Sequence, residues 1–213
     1  MPRPPSTRKP RAPVAAPRPY HHGALRAALL DAAEAWLDEH GGHAPTLREI
    51  AKAAGVSHAA PYHHFASLDD LLAGVAERAF ARLADAMSAA AAGRKPPRER
   101  LLDIAEAYVR AALDHPARFR LMFGPTLARK NEHPGLKAAA ERAFGVLVGA
   151  ASAHDPKRGL ELALAGWSLS HGVANLAIDG AFEGLPLPKA QARAIAALDA
   201  GMLVRRAAGH LLG

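Results

Sequence analysis

Residues 46–65, which read TLREIAKAAGVSHAAPYHHF, constrain the fold more than any other part of the chain. Apolar residues recur there at steps of three and four, which predicts one buried face of a short helix, formed by Leu47, Ile50, Ala51 and Ala54. Thr46 lies where a helix needs an N-cap oxygen, and Gly55 lies where a left-handed stop costs least. Ser57 is expected to cap a second helix over 58–65. Two short helices around a tight turn predict a helix-turn-helix, a motif that lays its second helix in the major groove of DNA.

The remaining sequence predicts an all-α fold. Half of the residues are hydrophobic but only 5% are aromatic, a balance that favours packed helices. Glycine and proline separate the helical segments, and no segment alternates with the period of a strand. We predict about nine helices, arranged as a three-helix N-terminal domain and a helical C-terminal domain. Beyond the helix-turn-helix, the segments are a first helix from residue 22 to the Gly41-Gly42 stop, then 68–92, 97–114, 117–123, 134–153, 157–182 and 188–212.

Several functional classes are not expected from the composition. The chain has no cysteine, which excludes disulfides, thiolate zinc sites and a cysteine nucleophile and suits a reducing cytoplasm, where we expect the protein to act. No apolar run approaches the ~20 residues of a membrane span, and no secretory signal is visible. Neither a nucleophile–base set nor a glycine-rich phosphate loop is present, so we expect no enzyme and no cofactor. The histidine pairs at 21–22 and 63–64 lack metal-binding spacing, and we expect no metal site.

The charge is unevenly distributed along the chain. Residues 1–20 hold five cations and no acid, whereas residues 21–80 hold four basic and eight acidic residues. Seven prolines lie within residues 1–19. Such a segment cannot bury a core, so we predict a basic, extended arm over 1–19, a DNA-binding domain over 20–80 and a C-terminal domain over 81–213. The arm, including Arg18, is the expected electrostatic partner of DNA phosphates.

Residues 20–80 resemble the TetR family of bacterial transcriptional regulators. The resemblance rests on the first helix with its interior Trp36, the TLREIAKAAGVS run and the closing residues Tyr62 to Phe65. The later W-x-x-x-H-G sequence, Trp167 to Gly172, is similar to the WHG-type C-terminal domain of some of these regulators. The resemblance implies a homodimer whose N-terminal domain binds a double-stranded DNA operator. It also implies a C-terminal domain that dimerises and binds a small-molecule effector, which typically releases the DNA.

The resemblance assigns DNA-contacting roles to residues of the motif. Thr46 is expected to bind a phosphate at the helix N-terminus, with a capping role alone as the alternative. Arg48 is expected to read a guanine edge, and the alternative is a solvated arginine paired with Glu49. Tyr62 and His63 resemble the family's pair of phosphate-binding residues, and partial packing into the core is the alternative for Tyr62.

The first turn of the second helix offers few groups that could read bases. His58 is its only polar side chain there, while Ala59 and Ala60 permit close approach and contact with thymine methyls. Where relatives usually carry a lysine early in the next helix, this chain has Leu68. Direct base readout is therefore expected to be limited, with Arg48 and the arm contributing.

The segment 157–182 is apolar nearly all round, so it must be covered on more than one face. One side is expected to line an effector pocket, and the other to form a four-helix dimer interface with the following helix. Trp167, His171 and Asn175 share one face, as pocket residues or as a hydrogen-bonded core trio. The other pocket candidates are Tyr108, Phe119, Met122, Phe123, Leu127 and Phe144. The interface candidates are Leu169, Leu176, Ile195, Leu198 and Met202.

The leading interpretation is a repressor that a small apolar effector releases from its operator. Two helix-turn-helix units would then lie about 34–36 Å apart on a pseudo-palindrome. A transcriptional activator, or a constitutive DNA-binding protein without an effector, are the alternatives that the sequence leaves open.

Overall fold

A computed structural model describes residues 22–124, 130–182 and 200–212. These residues form eight α-helices and two short 3₁₀ helices, and no strand occurs in the described ranges, which confirms the all-α prediction. The α-helices are α1 (His22–Glu39), α2 (Leu47–Ala53), α3 (Leu68–Ala90), α4 (Pro97–Asp114), α5 (Pro116–Phe123), α6 (Pro134–His154), α7 (Gly159–Ile178) and α8 (Ala200–Leu211). The 3₁₀ helices are Ala60–His63 and Lys130–Glu132.

The helix predicted over 157–182 is shorter at both ends in the structure. A carboxylate oxygen of Asp155 accepts hydrogen bonds from the backbone N–H groups of Lys157 (2.9 Å) and Arg158 (3.2 Å), which holds these residues in a turn. Helix α7 therefore begins only at Gly159. At the other end of α7, Gly180 adopts a φ of +66°. This left-handed conformation is unfavourable for a residue that carries a side chain, so the helix ends at a glycine. Residues 188–199 of the last predicted helix lie outside the described ranges.

Capping boxes fix the starts of α2 and α3. At α2 the cap is Thr46 with Glu49, and at α3 it is Ser67 with Asp70. In each pair the hydroxyl accepts a backbone N–H from the acid, and the carboxylate accepts the N–H of the cap residue. This arrangement satisfies two otherwise unpaired donors at each helix end.

The N-terminal helices share a hydrophobic core with the rest of the molecule. α1 packs against α2 and α3, and α3 continues between α4 and α6. The helices α7 and α8 cover the far side of α4. One cluster of buried residues runs from Leu29 in α1 through Val75 in α3 to Val204 in α8. The long helix α3 thus joins the helix-turn-helix to the C-terminal helices.

A buried ionic cluster joins α1 to α5. Arg118 of α5 donates to both carboxylate oxygens of Asp38, at 3.2 and 2.7 Å, and to Glu34 at 3.3 Å. Arg118 and Glu34 are each only 8% exposed. Two arginines of α3, Arg78 and Arg82, also lie within 3.6 and 2.6 Å of the Glu34 carboxylate. The cluster pairs charges that would be costly to bury singly, although Glu34 Oε1 has an ion pair with Arg78 and no hydrogen bond among the described residues.

Of the helices that the structure describes, none combines the length and the apolar composition that a membrane span requires.

Candidate DNA interface and ligand cavity

The hydroxyl group of Thr46 is engaged in the cap of α2. It donates to Glu49 Oε2 at 2.8 Å and accepts the Glu49 backbone N–H at 3.2 Å. The backbone N–H of Thr46 is the main cause of a lowered pKa of Glu49, and the Thr46 side chain adds to it. Glu49 therefore stays ionised as the capping acid. A DNA phosphate would have to displace the Glu49 carboxylate before it could accept a hydrogen bond from the Thr46 hydroxyl.

Arg48 and Lys52 lie one turn apart on the exposed side of α2. Neither forms a salt bridge with any residue that the structure describes. The alternative pairing of Arg48 with Glu49 is not seen, because the Glu49 carboxylate binds Thr46 instead. Two cations are thus available at the surface of the motif.

The second element of the motif differs from the predicted α-helix over 58–65. It is a turn followed by the 3₁₀ helix Ala60–His63, and no side chain caps it, so the prediction of a Ser57 cap was wrong. Pro61 lacks the N–H that would bond the Ser57 carbonyl in an α-helix. The Ser57 carbonyl accepts the Ala60 N–H instead, at 3.0 Å, which is the tighter 3₁₀ spacing.

The exposed side of this element carries most of the predicted contact residues. His58, Ala59 and His63 are exposed, and Tyr62 is 63% exposed, whereas Pro61 is buried. Ala60 is half-buried. The exposure of Tyr62 argues against the core-packing role that was its alternative. Arg18 lies outside the described residues, as does the rest of the predicted arm.

Five of the eight acids of residues 21–80 cap helices or pair with arginines. Glu49 and Asp70 cap helices, while Asp31, Glu34 and Asp38 pair with arginines of α3 and α5. The net negative charge of this region is therefore concentrated in caps and in the α1–α5 junction. The negative charge of residues 21–80 therefore disfavours DNA binding less than the number of acidic residues suggests.

A cavity of about 460 Å³ lies within the C-terminal helices. Its volume falls within the range of small-molecule pockets, and nearly all of its lining is apolar. Helix α3 contributes Phe80, Leu83 and Met87 to its wall. The sequence did not indicate these three, because cavity-lining and core positions of a helix carry the same apolar period. The other lining residues include Leu101, Ile104, Tyr108, Phe123, Ala140, Phe144, Leu147, Leu162, Trp167 and Ser170.

Seven of the nine predicted pocket residues lie in the wall of this cavity or of a second one. Tyr108, Phe123, Phe144 and Trp167 line the first cavity. A second cavity of about 390 Å³ lies between the N-terminal helices and α5, and its wall includes Phe119, Phe123, His171 and Asn175. Met122 is only 3% exposed and lines neither of these two cavities. Leu127, named with them, is outside the described residues.

Three polar side chains connect the two cavities. The Trp167 indole N–H donates to the Tyr108 hydroxyl oxygen at 3.2 Å, and that oxygen lies 2.9 Å from His171 Nδ1. Because the Tyr108 oxygen already accepts the indole N–H, we assign its hydroxyl hydrogen to a bond with Nδ1, which places the hydrogen of the neutral imidazole on Nε2. Burial raises the pKa of Tyr108 well above its usual range and lowers the pKa of His171. Both side chains therefore stay neutral near pH 7.

Asn175 donates its side-chain N–H to the His171 carbonyl at 2.9 Å, within its own helix. The trio of Trp167, His171 and Asn175 is therefore not one hydrogen-bonded unit. Trp167 and His171 are linked through Tyr108, and Asn175 is linked to the backbone.

The predicted interface residues lie partly on an exposed apolar surface. Leu176 of α7 and Met202 of α8 are 48% and 43% exposed, and other exposed residues of these helices are Leu160, Leu164 and Leu211. Leu169 is half-buried against the core. Ile195 and Leu198 fall in the range that the structure does not describe. Within the described ranges, no group of three histidine or acidic side chains is arranged to hold a metal ion.

Comparisons with known proteins identify both parts of the chain. A family model described as "Bacterial regulatory proteins, tetR family" matches residues 29–75, and one described as "Tetracyclin repressor-like, C-terminal domain" matches residues 101–200. The transcriptional repressor KstR2 of Mycobacterium tuberculosis is 38% identical over 96 residues, which are 43% of this chain and 46% of KstR2. The regulator BetI of Rhizobium meliloti is 40% identical over 76 residues, 36% of this chain and 37% of BetI. Both alignments thus span less than half of the relative.

A solved structure of a Rhodococcus sp. RHA1 protein of unknown function is similar over nearly its whole length. The two chains are 31% identical and superpose with a TM-score of 0.70, covering 92% of this chain and 97% of that one. The two family models together account for the helix-turn-helix and for most of the C-terminal helices. The chain belongs to the TetR family of bacterial transcriptional regulators, which are not enzymes.

Proposed function

We propose that the protein is a homodimeric, cytoplasmic repressor that binds a double-stranded DNA operator and leaves it when a small apolar effector fills the 460 Å³ cavity. The observation that carries this proposal is the course of α3. Its N-terminus follows the helix-turn-helix directly, and its side chains Phe80, Leu83 and Met87 form part of the cavity wall. A ligand in the cavity would contact the helix that holds the DNA-binding elements.

The exposed side of the motif supports the DNA-binding part of the proposal. Arg48 is available for a base edge or a phosphate, and Tyr62, His63 and His58 present hydrogen-bond donors beside it. Thr46 serves as a cap and leaves phosphate contact to the backbone N–H groups of the helix end. Ala59 and Ala60 leave room for close approach to the groove. Arg18 and the basic segment before it supply further phosphate contacts.

The exposed leucines and methionine of α7 and α8 support dimerisation. An apolar helix surface of this kind is best covered by a second copy of the same surface, as in a four-helix bundle. Leu176 and Met202 lie on that surface, and Gly172 has open space beside it for a close helix approach. Leu169, Ile195 and Leu198 complete the proposed interface.

The effector would act by preferring one arrangement of α3 over another. It can weaken DNA binding only by its differential affinity for the two states, which for allosteric proteins is typically about 5- to 150-fold. Coupling of this kind requires that the ligand occupy the cavity itself.

A cavity-filling variant tests this requirement. The full chain is first used to select operator fragments from genomic DNA. Apolar compounds that raise the melting temperature of the protein are then added while its binding to the operator is titrated. Ala140 lines the cavity, whereas Ala138 is exposed on the same helix. Compounds should weaken operator binding by the wild type and Ala138→Phe, but not by Ala140→Phe. An unchanged operator affinity in wild type with a bound compound would refute the repressor proposal, and a normal response of Ala140→Phe would refute the cavity as the effector site.

A further inference from the structure

Ser170 is a buried residue of the cavity wall. It is 4% exposed and lies on α7. No residue in the described ranges hydrogen-bonds its hydroxyl. The nearby Ser168 behaves differently, because it is exposed and donates to the Leu164 carbonyl at 2.8 Å. The Ser170 oxygen is not among the fully enclosed side-chain atoms that lack a partner, so it keeps open space beside it and can exchange a hydrogen bond with a ligand atom.

The other polar groups of the wall are already committed. The Trp167 N–H donates to Tyr108, and the Tyr108 hydroxyl donates to His171. Glu141 also borders the cavity, but its side chain is 67% exposed and its carboxylate lies 3.8 Å from Lys137 of the same helix. Among the lining residues that the structure describes, Ser170 therefore supplies the hydroxyl that remains available to a ligand.

The described part of the lining contains no cation. Among the described residues around the cavity there is no lysine, arginine or histidine, and the single charged group is the acidic Glu141. A ligand carboxylate or phosphate would be buried without a counter-charge, which carries a large desolvation penalty. A quaternary ammonium ion could lie against the aromatic rings, but it has no atom that can hydrogen-bond Ser170.

We infer that the effector is an uncharged, mainly apolar molecule with one hydroxyl or carbonyl oxygen, which Ser170 binds. This assignment rests on the proposed function, since it describes the ligand of the same cavity. Aliphatic side chains from α3, α4 and α6 surround its apolar body. Carboxylates, phosphate esters and ammonium ions of similar size bind more weakly.

Calorimetric titration of the full chain at pH 7.5 tests the ligand class with four matched probes. These are decan-1-ol, decan-2-one, decanoate and decyltrimethylammonium. The alcohol and the ketone should bind at least tenfold more tightly than the two ions. Ser170→Ala should weaken alcohol binding about tenfold, the effect of one lost hydrogen bond, while the matched control Ser168→Ala should leave it unchanged.

Equal or tighter binding of decanoate or of the ammonium ion would overturn the inference, and so would an unchanged alcohol affinity in Ser170→Ala. Operator release is measured separately for each probe that binds. Release by an ionic probe would refute the ligand class and leave the proposed function standing. Binding of the alcohol through Ser170 without any effect on operator affinity would refute the proposed function and leave the ligand class standing.

Discussion

At the scale of single residues, Tyr108 holds the polar part of the cavity wall together. Its hydroxyl oxygen accepts the Trp167 indole N–H, and its hydroxyl hydrogen is assigned to a bond with His171 Nδ1. The ring centroids of Tyr108 and Phe119 lie 5.7 Å apart in an edge-to-face arrangement. The sequence indicated Trp167 and His171 as a pair, because they are four residues apart on one helix. It could not indicate Tyr108 as the bridge, since Tyr108 lies 59 residues before Trp167 and only tertiary packing brings them together.

Tyr108→Phe removes the bridging oxygen. Trp167 Nε1 and His171 Nδ1 are then left without their partner in a partly buried site, so the free energy of unfolding should fall by about 1–3 kcal/mol. Urea unfolding measures the change. Tyr62→Phe is the control, because Tyr62 is 63% exposed and its loss of a hydroxyl should leave stability within about 0.5 kcal/mol. Equal stabilities of wild type and Tyr108→Phe would show that the bridge contributes nothing.

His171 gives stability a pH dependence. Burial lowers its pKa below the ordinary value of 6.5, so below pH 6.5 the unfolded chain binds more protons at this residue than the folded one. The contribution of His171 is therefore fully present above pH 6.5 and is lost as the pH falls toward the lowered pKa. Unfolding free energies measured from pH 7.5 to 5.5 should decline more steeply for wild type than for His171→Gln. Parallel profiles would contradict the burial of a neutral imidazole.

At the scale of elements, most helices were predictable and the recognition element was not. The capped starts and the α4 range followed from N-cap residues, prolines and apolar spacing, and they agree with the structure. The residue spacing at Ala60–His63 favours a helix, but Pro61 lacks the N–H that an α-helix needs there. The segment therefore forms a 3₁₀ helix. Residue spacing indicates that a helix is favoured there, but it does not show how the carbonyl left unpaired by proline is satisfied.

Pro61→Ala restores the backbone N–H that can bond the Ser57 carbonyl. The segment should then adopt more α-helix, which rotates Tyr62 and His63 relative to α2 and weakens operator binding several-fold. Fluorescence anisotropy with labelled operator measures the affinity. Pro97→Ala is the control, because Pro97 lies at the start of α4, where its N–H would be unpaired in any case. An operator affinity equal to that of wild type would show that the 3₁₀ form is irrelevant to DNA binding.

The ionic cluster that joins α1 to α5 is a second feature at the scale of elements. Arg118→Met removes the arginine that donates to both oxygens of Asp38, while Glu34 keeps Arg78 and Arg82, and we expect the free energy of unfolding to fall by about 1.5–3 kcal/mol, as for lost hydrogen bonds to a charged group. Arg110→Met breaks an exposed pair with Glu106 and should cost at most about 1 kcal/mol. Urea unfolding of both variants tests the difference. Similar losses in the two variants would mean that the junction contributes no more than a surface pair.

At the scale of the whole molecule, the family and the all-α fold were predictable, but the cavities were only partly so. The apolar positions of α3 and α7 look alike in sequence whether they pack against side chains or line a cavity. This is why Phe119, His171 and Asn175 were assigned to one pocket and lie at another, while Leu83 and Met87 were not predicted to line a cavity. The division into domains at residue 80 stays a prediction, and the hydrophobic core runs continuously across it.

The central claim is that a ligand in the cavity changes the separation of the two helix-turn-helix units of a dimer. The chain has no cysteine, so Ala53→Cys places a single spin label per subunit on the exposed end of α2. Pulsed electron paramagnetic resonance then measures the label-to-label distance with operator bound, and again with a compound that calorimetry shows to bind the cavity. We predict one narrow distance on the operator and a shifted distance with the compound. The same distance distribution in both states would contradict the claim. So would the absence of any label-to-label distance, which would mean that the labelled chains do not form a dimer.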